Sequence, residues 1–160
     1  MASRFQTLLE CLSHKNVQFI LIGGVAANLH GSSRATFDLD IIYSRSEENL
    51  KSLVAALAPF QPYLRGAPPG LPFRWDIRTL KTGLNFTLTT SLGALDLLAE
   101  VPGGGTFELL VPDSEWFDFG SVRVRCANLE QLIELKAAAG RPKDFESVAE
   151  LRAIQQEKKR

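Results

Sequence analysis

The chain has 160 residues, of which 45% are hydrophobic, and it carries 18 basic and 18 acidic side chains. A chain of this length and composition fits one domain with one substantial core, so we expect residues 1–160 to form a single domain. The formal net charge of zero gives no electrostatic support for nucleic-acid binding over a broad surface, although a local basic patch such as Arg141 with Lys143 could still bind an RNA end.

The cysteines and the hydrophobic stretches bear on the location of the protein. Cys11 and Cys126 could form only one bridge and lie in apolar helix and strand patterns, so we predict buried free thiols in a reducing compartment. The longest apolar stretch, residues 19–29, is too short and too broken by glycine to span a bilayer, and the N-terminus lacks a secretory pattern. We therefore expect a cytoplasmic protein without a membrane partner.

A helix, a strand and a glycine pair are predicted at the start of the chain. Apolar residues at helical spacing between positions 5 and 12 predict a helix, and residues 17–22 predict a buried strand. This strand runs through Gly23-Gly24 into helix-prone residues 25–30. Such a junction exposes backbone N–H groups where an anion can approach, assisted by the helix dipole, although most Gly-Gly turns only connect elements. A phosphate-binding turn and a plain connection both remain open. For the phosphate-binding turn we expect Gly24 to face the phosphates in a left-handed backbone conformation.

Two acids follow in the next predicted strand. Asp38 and Asp40 lie at positions i and i+2 of an apolar, β-branched run, and alternation along a strand places them on one face. Adjacent carboxylates repel unless a cation neutralises them, and a few carboxylates with open positions for water and phosphate are the usual ligands of Mg²⁺. The alternative is an exposed strand with two solvated acids.

The middle of the chain predicts a helix and then a loop. Ser46 followed by two glutamates is typical of a helix N-terminus, and Pro59 ends the helix. Residues 61–72 are rich in proline and glycine. We interpret them as a linker, with a mobile flap as the alternative.

A third acid lies in a predicted hairpin. Residues 85–90 alternate as a strand, and Gly93 turns the chain into an apolar run that carries Asp96. A carboxylate in an apolar run is costly unless it is paired, hydrogen-bonded or bound to metal. If this run pairs with the strand of Asp38 and Asp40, the three carboxylates meet. The alternative is that Asp96 caps a short helix or bonds a local backbone group.

The C-terminal part predicts a strand and two helices. Residues 122–126 alternate as a strand, and Asn128 with Gln131 forms the pattern of a capping box that opens a helix. Gly140 ends this helix, and a second helix follows.

These motifs together resemble a known superfamily. The pattern begins with Gly23-Gly24, and 13 residues separate this pair from Asp38. The last of these residues and the two acids form the core Arg34-x-Thr36-x-Asp38-x-Asp40. Asp96 between hydrophobic residues and the segment 132–144 complete the pattern. It resembles the DNA polymerase β-type nucleotidyltransferases in their minimal bacterial form, as found among abortive-infection and toxin–antitoxin proteins. The resemblance spans about residues 17–150. Many active members carry Gly-Ser where this chain has Gly23-Gly24, so a hydroxyl that can reach the nucleotide phosphate is missing.

The resemblance implies an α/β (α+β) fold, with a mixed β-sheet flanked by helices and C-terminal helices. In this division residues 17–127 form the catalytic core and residues 128–157 the C-terminal helices. It also implies that Asp38, Asp40 and Asp96 are catalytic and bind Mg²⁺ or Mn²⁺ as a two-metal centre, in which Asp96 helps to hold the second metal that activates the acceptor hydroxyl. The nucleotide-binding residues that it implies are Gly23, Gly24, Arg34, Thr36, Lys136 and Arg141. Lys136, Arg141 and Lys143 could equally be solvated surface charges.

The activity that the resemblance implies is transfer of a nucleoside monophosphate from a nucleoside triphosphate to a hydroxyl acceptor, with release of pyrophosphate. The acceptor is open between tRNA, a protein and a small hydroxylated molecule, because a fold does not transmit substrate identity. A homodimer or an antitoxin-like partner is also in keeping with the resemblance. The alternative function is a catalytically inactive protein of the same fold that binds nucleotide or a partner protein.

Overall fold

The computed structural model of the protein describes residues 3–160, which form seven α-helices and nine β-strands. The helices are α1 (Arg4–His14), α2 (Gly23–Leu29), α3 (Glu47–Leu57), α4 (Ile77–Thr82), α5 (Phe107–Leu110), α6 (Leu129–Ala139) and α7 (Pro142–Lys158). The strands are β1 (Phe19–Ile22), β2 (Asp38–Tyr43), β3 (Tyr63–Leu64), β4 (Phe86–Thr90), β5 (Gly93–Leu98), β6 (Glu100–Val101), β7 (Gly105–Thr106), β8 (Glu115–Phe119) and β9 (Val122–Cys126).

Local signals set the helix ends. The Ser46 hydroxyl accepts a hydrogen bond from Asn49 N at the start of α3, as its position predicts. Asn128 and Gln131 form the predicted capping box of α6, each side chain accepting from the other's backbone N–H. The helix ends at Gly140, whose φ of 64° is the left-handed conformation that glycine adopts without strain.

Seven strands form one mixed sheet in the order β3-β4-β5-β2-β1-β9-β8. The central strand β2 pairs antiparallel with β1 and parallel with β5, and β4 and β5 form the predicted hairpin. The prediction of an α/β mixed sheet flanked by helices, with two C-terminal helices, is confirmed.

The core lies between this sheet and the helices packed on it. Helix α1 contacts α3 and β9, while α2 contacts β1, β2 and α6. Strand β1 is buried along its whole length, and Leu8, Leu39 and Leu53 are fully buried. Cys126 is a buried free thiol, as predicted, and burial raises its pKa to about 12. Cys11 is also free but only half-buried.

The linker interpretation of residues 61–72 is partly wrong. Tyr63 and Leu64 form the edge strand β3, pairing with Thr89 and Leu88 of β4. The Tyr63 hydroxyl donates to the carbonyls of Pro68 and Leu71 at 3.0 and 3.1 Å, so the following turn is tied back onto the strand. The sequence analysis also missed α4 and α5, because helices of six and four residues are too short to show a period, and β8, because its five residues do not alternate between buried and exposed.

The helices of residues 3–160 include none that combines the length and the apolar character needed to cross a membrane.

Candidate active site

Three carboxylates converge on one face of the central sheet. Asp38 and Asp40 lie on β2, and the parallel register of β2 with β5 places Asp96 opposite Asp40. One oxygen of each carboxylate lies within 4.8 Å of one oxygen of the other two. The predicted convergence is therefore present, and neither local alternative for Asp96 is needed. We call these three residues the carboxylate cluster.

Asp40 is the least compensated member of the carboxylate cluster. Within residues 3–160 its Oδ1 atom is buried and has no hydrogen-bond partner. Burial and, after it, the neighbouring Asp96 and Asp38 carboxylates together raise the pKa of Asp40 to about 7, against the opposing charge of Lys136. A buried carboxylate in this condition must either keep a proton or bind a cation.

The two glycines bring backbone close to this cluster. Gly23 has a φ of 73°, and a Cβ atom there would collide with the Asp40 carboxylate. The left-handed conformation expected at Gly24 is wrong: it belongs to Gly23, and Gly24 is needed because a Cβ there would lie 2.6 Å from Thr36 Oγ1. The glycine pair thus lets the β1–α2 junction approach Asp40 and Thr36 directly.

A cavity of about 260 Å³ opens beside Asp40. Its polar wall contains both glycines, Asp40 and two cations, Lys136 and Arg141. The rest of its lining is apolar and comes from β1, β5, β6, the β6–β7 turn and α6: Ile22, Leu98, Val101, Pro102, Leu132, Leu135 and Ala139. The cavity therefore joins a carboxylate, two basic groups and an apolar surface.

Asp144 holds the two cations in place. It is 2% exposed, and its carboxylate accepts hydrogen bonds from Arg141 Nε and Nη2 at 2.8 and 3.2 Å, with Lys136 Nζ at 3.9 Å. Burial alone would raise the pKa of Asp144, but the hydrogen bonds and charge of Arg141, with the charge of Lys136, lower it below its ordinary value. In the sequence analysis Asp144 belongs to the C-terminal segment 132–144 and has no role of its own, since a lone Asp near a helix start is usually solvated.

Replacing Asp144 by Asn is expected to destabilise the protein by about 3 kcal/mol, because it leaves Arg141 and Lys136 without their buried counter-charge. Urea denaturation measures this loss. The matched control is Asp118→Asn, which removes an exposed carboxylate paired with Arg123 and should change stability little. Equal losses in both variants would contradict a special role for Asp144.

Arg34 and Thr36 lie away from this cavity. They line a neighbouring one of about 110 Å³, which shares Gly24 and Lys136 with the first. Arg34 pairs with Glu146 at 3.4 Å and Glu150 at 3.5 Å, so its guanidinium is directed to α7. The structure thus brings Gly23, Gly24, Asp40, Lys136 and Arg141 around one cavity, and Arg34 and Thr36 around the next. Lys143 lines neither of these two cavities.

Arg65 is a residue of the site that the sequence analysis missed. Its Nη2 donates to Asp96 Oδ1 at 2.7 Å, and its Nη1 lies 3.8 Å from Asp38 Oδ2. The residue follows β3 in a stretch that reads as loop by composition. Only the pairing of β3 with β4 brings it to the carboxylate cluster, and two residues carry no strand period to reveal that pairing.

Comparison with known proteins gives similarity of structure only. No protein-family profile matches the sequence, and no curated protein matches it either. The lincosamide antibiotic adenylyltransferase LnuA, in its lincomycin-bound crystal structure, superposes with a TM-score of 0.62 at 14% identity, covering 94% of this chain and 96% of that chain. The solution structure of the antibiotic-resistance factor ANT(2'')-Ia gives a TM-score of 0.55 at 16% identity, covering 97% and 90%. The chain therefore shares the fold of a known adenylyltransferase over nearly its whole length.

Proposed function

We propose that the protein is a metal-dependent nucleotidyltransferase that moves a nucleoside monophosphate from a nucleoside triphosphate to the hydroxyl group of a small molecule. The observation that carries this proposal is the position of the carboxylate cluster, at the edge of a cavity whose wall also holds Lys136 and Arg141. Acids that could bind a divalent cation and bases that could bind a triphosphate are thus placed side by side. The fold shared with an adenylyltransferase supports the same reading.

The residues present fit a divalent cation. The unpartnered Oδ1 of Asp40 and the all-oxygen donor set of Asp38, Asp40 and Asp96 are suited to Mg²⁺ or Mn²⁺, and Asp38 and Asp40 would be the principal ligands. Such a cation supplies charge neutralisation at the phosphates and lowers the pKa of an oxygen that it contacts.

The protein's own side chains would bind and orient the nucleotide. Lys136 and Arg141 would neutralise phosphate oxygens, and Gly23-Gly24 leave room for phosphate beside Asp40. The apolar wall would exclude water and so favour transfer to the acceptor over hydrolysis. In the transfer the acceptor hydroxyl would give its proton to a carboxylate of the cluster, and its oxygen would bond to the α-phosphorus. The bond from that phosphorus to the bridging oxygen of the β-phosphate breaks, and pyrophosphate leaves.

A small hydroxylated acceptor fits this chain better than tRNA or a protein. The net charge of zero offers no broad phosphate-binding surface. An antibiotic or a similar polyhydroxylated compound is the class that we would test first, in keeping with what the two structural neighbours are named for.

Transfer of label tests this function. The protein is incubated with Mn²⁺ and α-³²P-labelled nucleoside triphosphates, together with a panel of small hydroxylated compounds that includes lincomycin, or with total RNA, or with lysate protein. We expect label on a small molecule. Lys136→Met should weaken nucleotide binding by about 10-fold or more, the value of a charge-assisted hydrogen bond. Lys51→Met, an exposed lysine on α3, is the matched control and should leave binding unchanged. Label on RNA or protein alone would contradict the acceptor class.

A second candidate is a protein of this fold that binds nucleotide without transferring it. Two observations favour it: Gly24 offers no hydroxyl to a phosphate, and Arg65 is already bound to Asp96. Binding of a triphosphate with Mn²⁺, seen as a rise in melting temperature, but without label transfer to any acceptor class would support this second function.

A further inference from the structure

Arg65 is held firmly against the carboxylate cluster. Its backbone N–H donates to Thr87 O at 2.9 Å, and its Nε and Nη2 both donate to Leu88 O, at 3.2 and 2.7 Å. The same Nη2 donates to Asp96 Oδ1. Three hydrogen bonds fix the guanidinium to β4 and β5, so it is part of the built site.

The charges of the cluster are divided unequally. Asp96 has a close ion pair with Arg65 at 2.7 Å, and Asp38 faces the same guanidinium at 3.8 Å. Asp40 keeps an Oδ1 atom that no donor of residues 3–160 reaches. A further positive charge is therefore needed beside Asp40, whereas Asp96 already has one in Arg65.

We propose that Arg65 is a resident cation of the carboxylate cluster. Its guanidinium occupies the Asp96 side, so the cluster binds one divalent cation, which Asp38 and Asp40 hold. This inference rests on the proposed function. It differs from the two-cation centre that the resemblance implies, in which Asp96 helps to hold a second metal.

The chemistry of the two cations differs in a way that can be measured. A guanidinium keeps its charge at every working pH and is bound covalently to the chain, whereas a divalent ion exchanges with solution. A cluster with Arg65 in place therefore binds one ion per chain, and removal of Arg65 frees Asp96 to bind a second.

The test counts bound Mn²⁺ by electron paramagnetic resonance of the free ion, with the full chain, without nucleotide. We expect one Mn²⁺ per chain for the wild type and two for Arg65→Gln. Arg65→Lys, which restores a cation, should return the number to one. The matched control is Arg78→Gln, since the Arg78 side chain is exposed and makes no ion pair within residues 3–160, and it should bind one ion.

Further variants keep the test decisive if Arg65→Gln does not fold. Asp96→Asn should retain its one ion, because Arg65 already occupies Asp96, and Asp40→Asn should bind none. Two ions in the wild type, one ion in folded Arg65→Gln, or loss of the ion in Asp96→Asn would overturn the role of Arg65 alone. Equal binding by Asp40→Asn and the wild type, or no binding by the wild type, would instead overturn the metal centre of the proposed function.

Discussion

Replacement of Asp40 by Asn should abolish Mn²⁺-dependent binding of nucleoside triphosphate and, at pH 8, raise the melting temperature of the metal-free protein. Binding is lost because Asn cannot supply the anionic oxygen that the cation needs. The metal-free protein becomes more stable because the substitution removes a buried, unpartnered charge that lies beside two like charges.

The gain in stability depends on pH in a direction that follows from the raised pKa. Asp40 binds its proton more tightly in the folded protein, where its pKa is about 7, than in the unfolded chain, where it is near 3.8. Its contribution to stability is therefore fully present below about pH 4 and is lost as the pH rises through 7. Asn has no proton to lose. The advantage of the variant should be larger at pH 8 than at pH 5 by about 3 kcal/mol, because each pH unit between the two pKa values changes the stability by about 1.4 kcal/mol.

Denaturant unfolding of both proteins at pH 5 and pH 8, without metal, measures this difference. Asp38→Asn is the comparison, because its side chain is half exposed and faces Arg65, so it should lose metal binding without gaining stability. An advantage of Asp40→Asn that is the same at both pH values would contradict the assignment of the raised pKa to Asp40.

Gly24→Val is expected to cost about 3 kcal/mol of folding stability, at the upper end of the usual penalty for overfilling a packed site. A Cβ at this position would lie 2.6 Å from Thr36 Oγ1 and 2.8 Å from Thr36 Cβ. The backbone at Gly24 is not left-handed, so the penalty arises from this collision alone. Gly24 is therefore required for packing against Thr36, in addition to any contact with phosphate. If Gly24→Val no longer binds nucleotide, we expect the cause to be the reduced stability of the fold.

A double-mutant cycle with Thr36→Gly separates the two effects. Removing the Thr36 side chain should reduce the cost of Gly24→Val by at least half, measured by urea denaturation. If the cost is unchanged in the Thr36→Gly background, the collision is not its cause. Normal stability of Gly24→Val with lost triphosphate binding would instead show that the glycine serves only the nucleotide.

The carboxylate cluster could be predicted from the sequence because each step follows a strong local rule. Alternation along β2 places Asp38 and Asp40 on one face, and the hairpin that carries Asp96 is signalled by Gly93 and an alternating strand. The register of β2 with β5 then needs only that the apolar residues of both strands share one core.

Arg65 and Asp144 could not be predicted in the same way, because their roles depend on contacts between distant segments. Arg65 reaches Asp96 only through a strand of two residues, and the pairing of that strand is decided by tertiary packing. Asp144 is buried only because α7 folds back on α6, which the sequence of either helix does not show. The left-handed conformation was expected at Gly24 and belongs to Gly23, because both glycines fit the same local pattern. Only the close approach of Asp40 to Gly23 distinguishes them.

Helix α7 shows how the cation side of the cavity is attached to the rest of the protein. Of its residues only Asp144 and Leu151 are buried, while Val148 and Ile154 pack partly buried against the core. Polar contacts, such as those of Glu150 with Ser32 and Arg34, complete its attachment. An element with so little buried apolar area opens by local unfolding well before the sheet does. Such an opening would detach Arg141 while leaving the carboxylates in place. An anion held by Arg141 therefore opposes this opening. Although α7 lies largely outside the cavity, its backbone amides would exchange hydrogen more slowly when the cavity contains an anion.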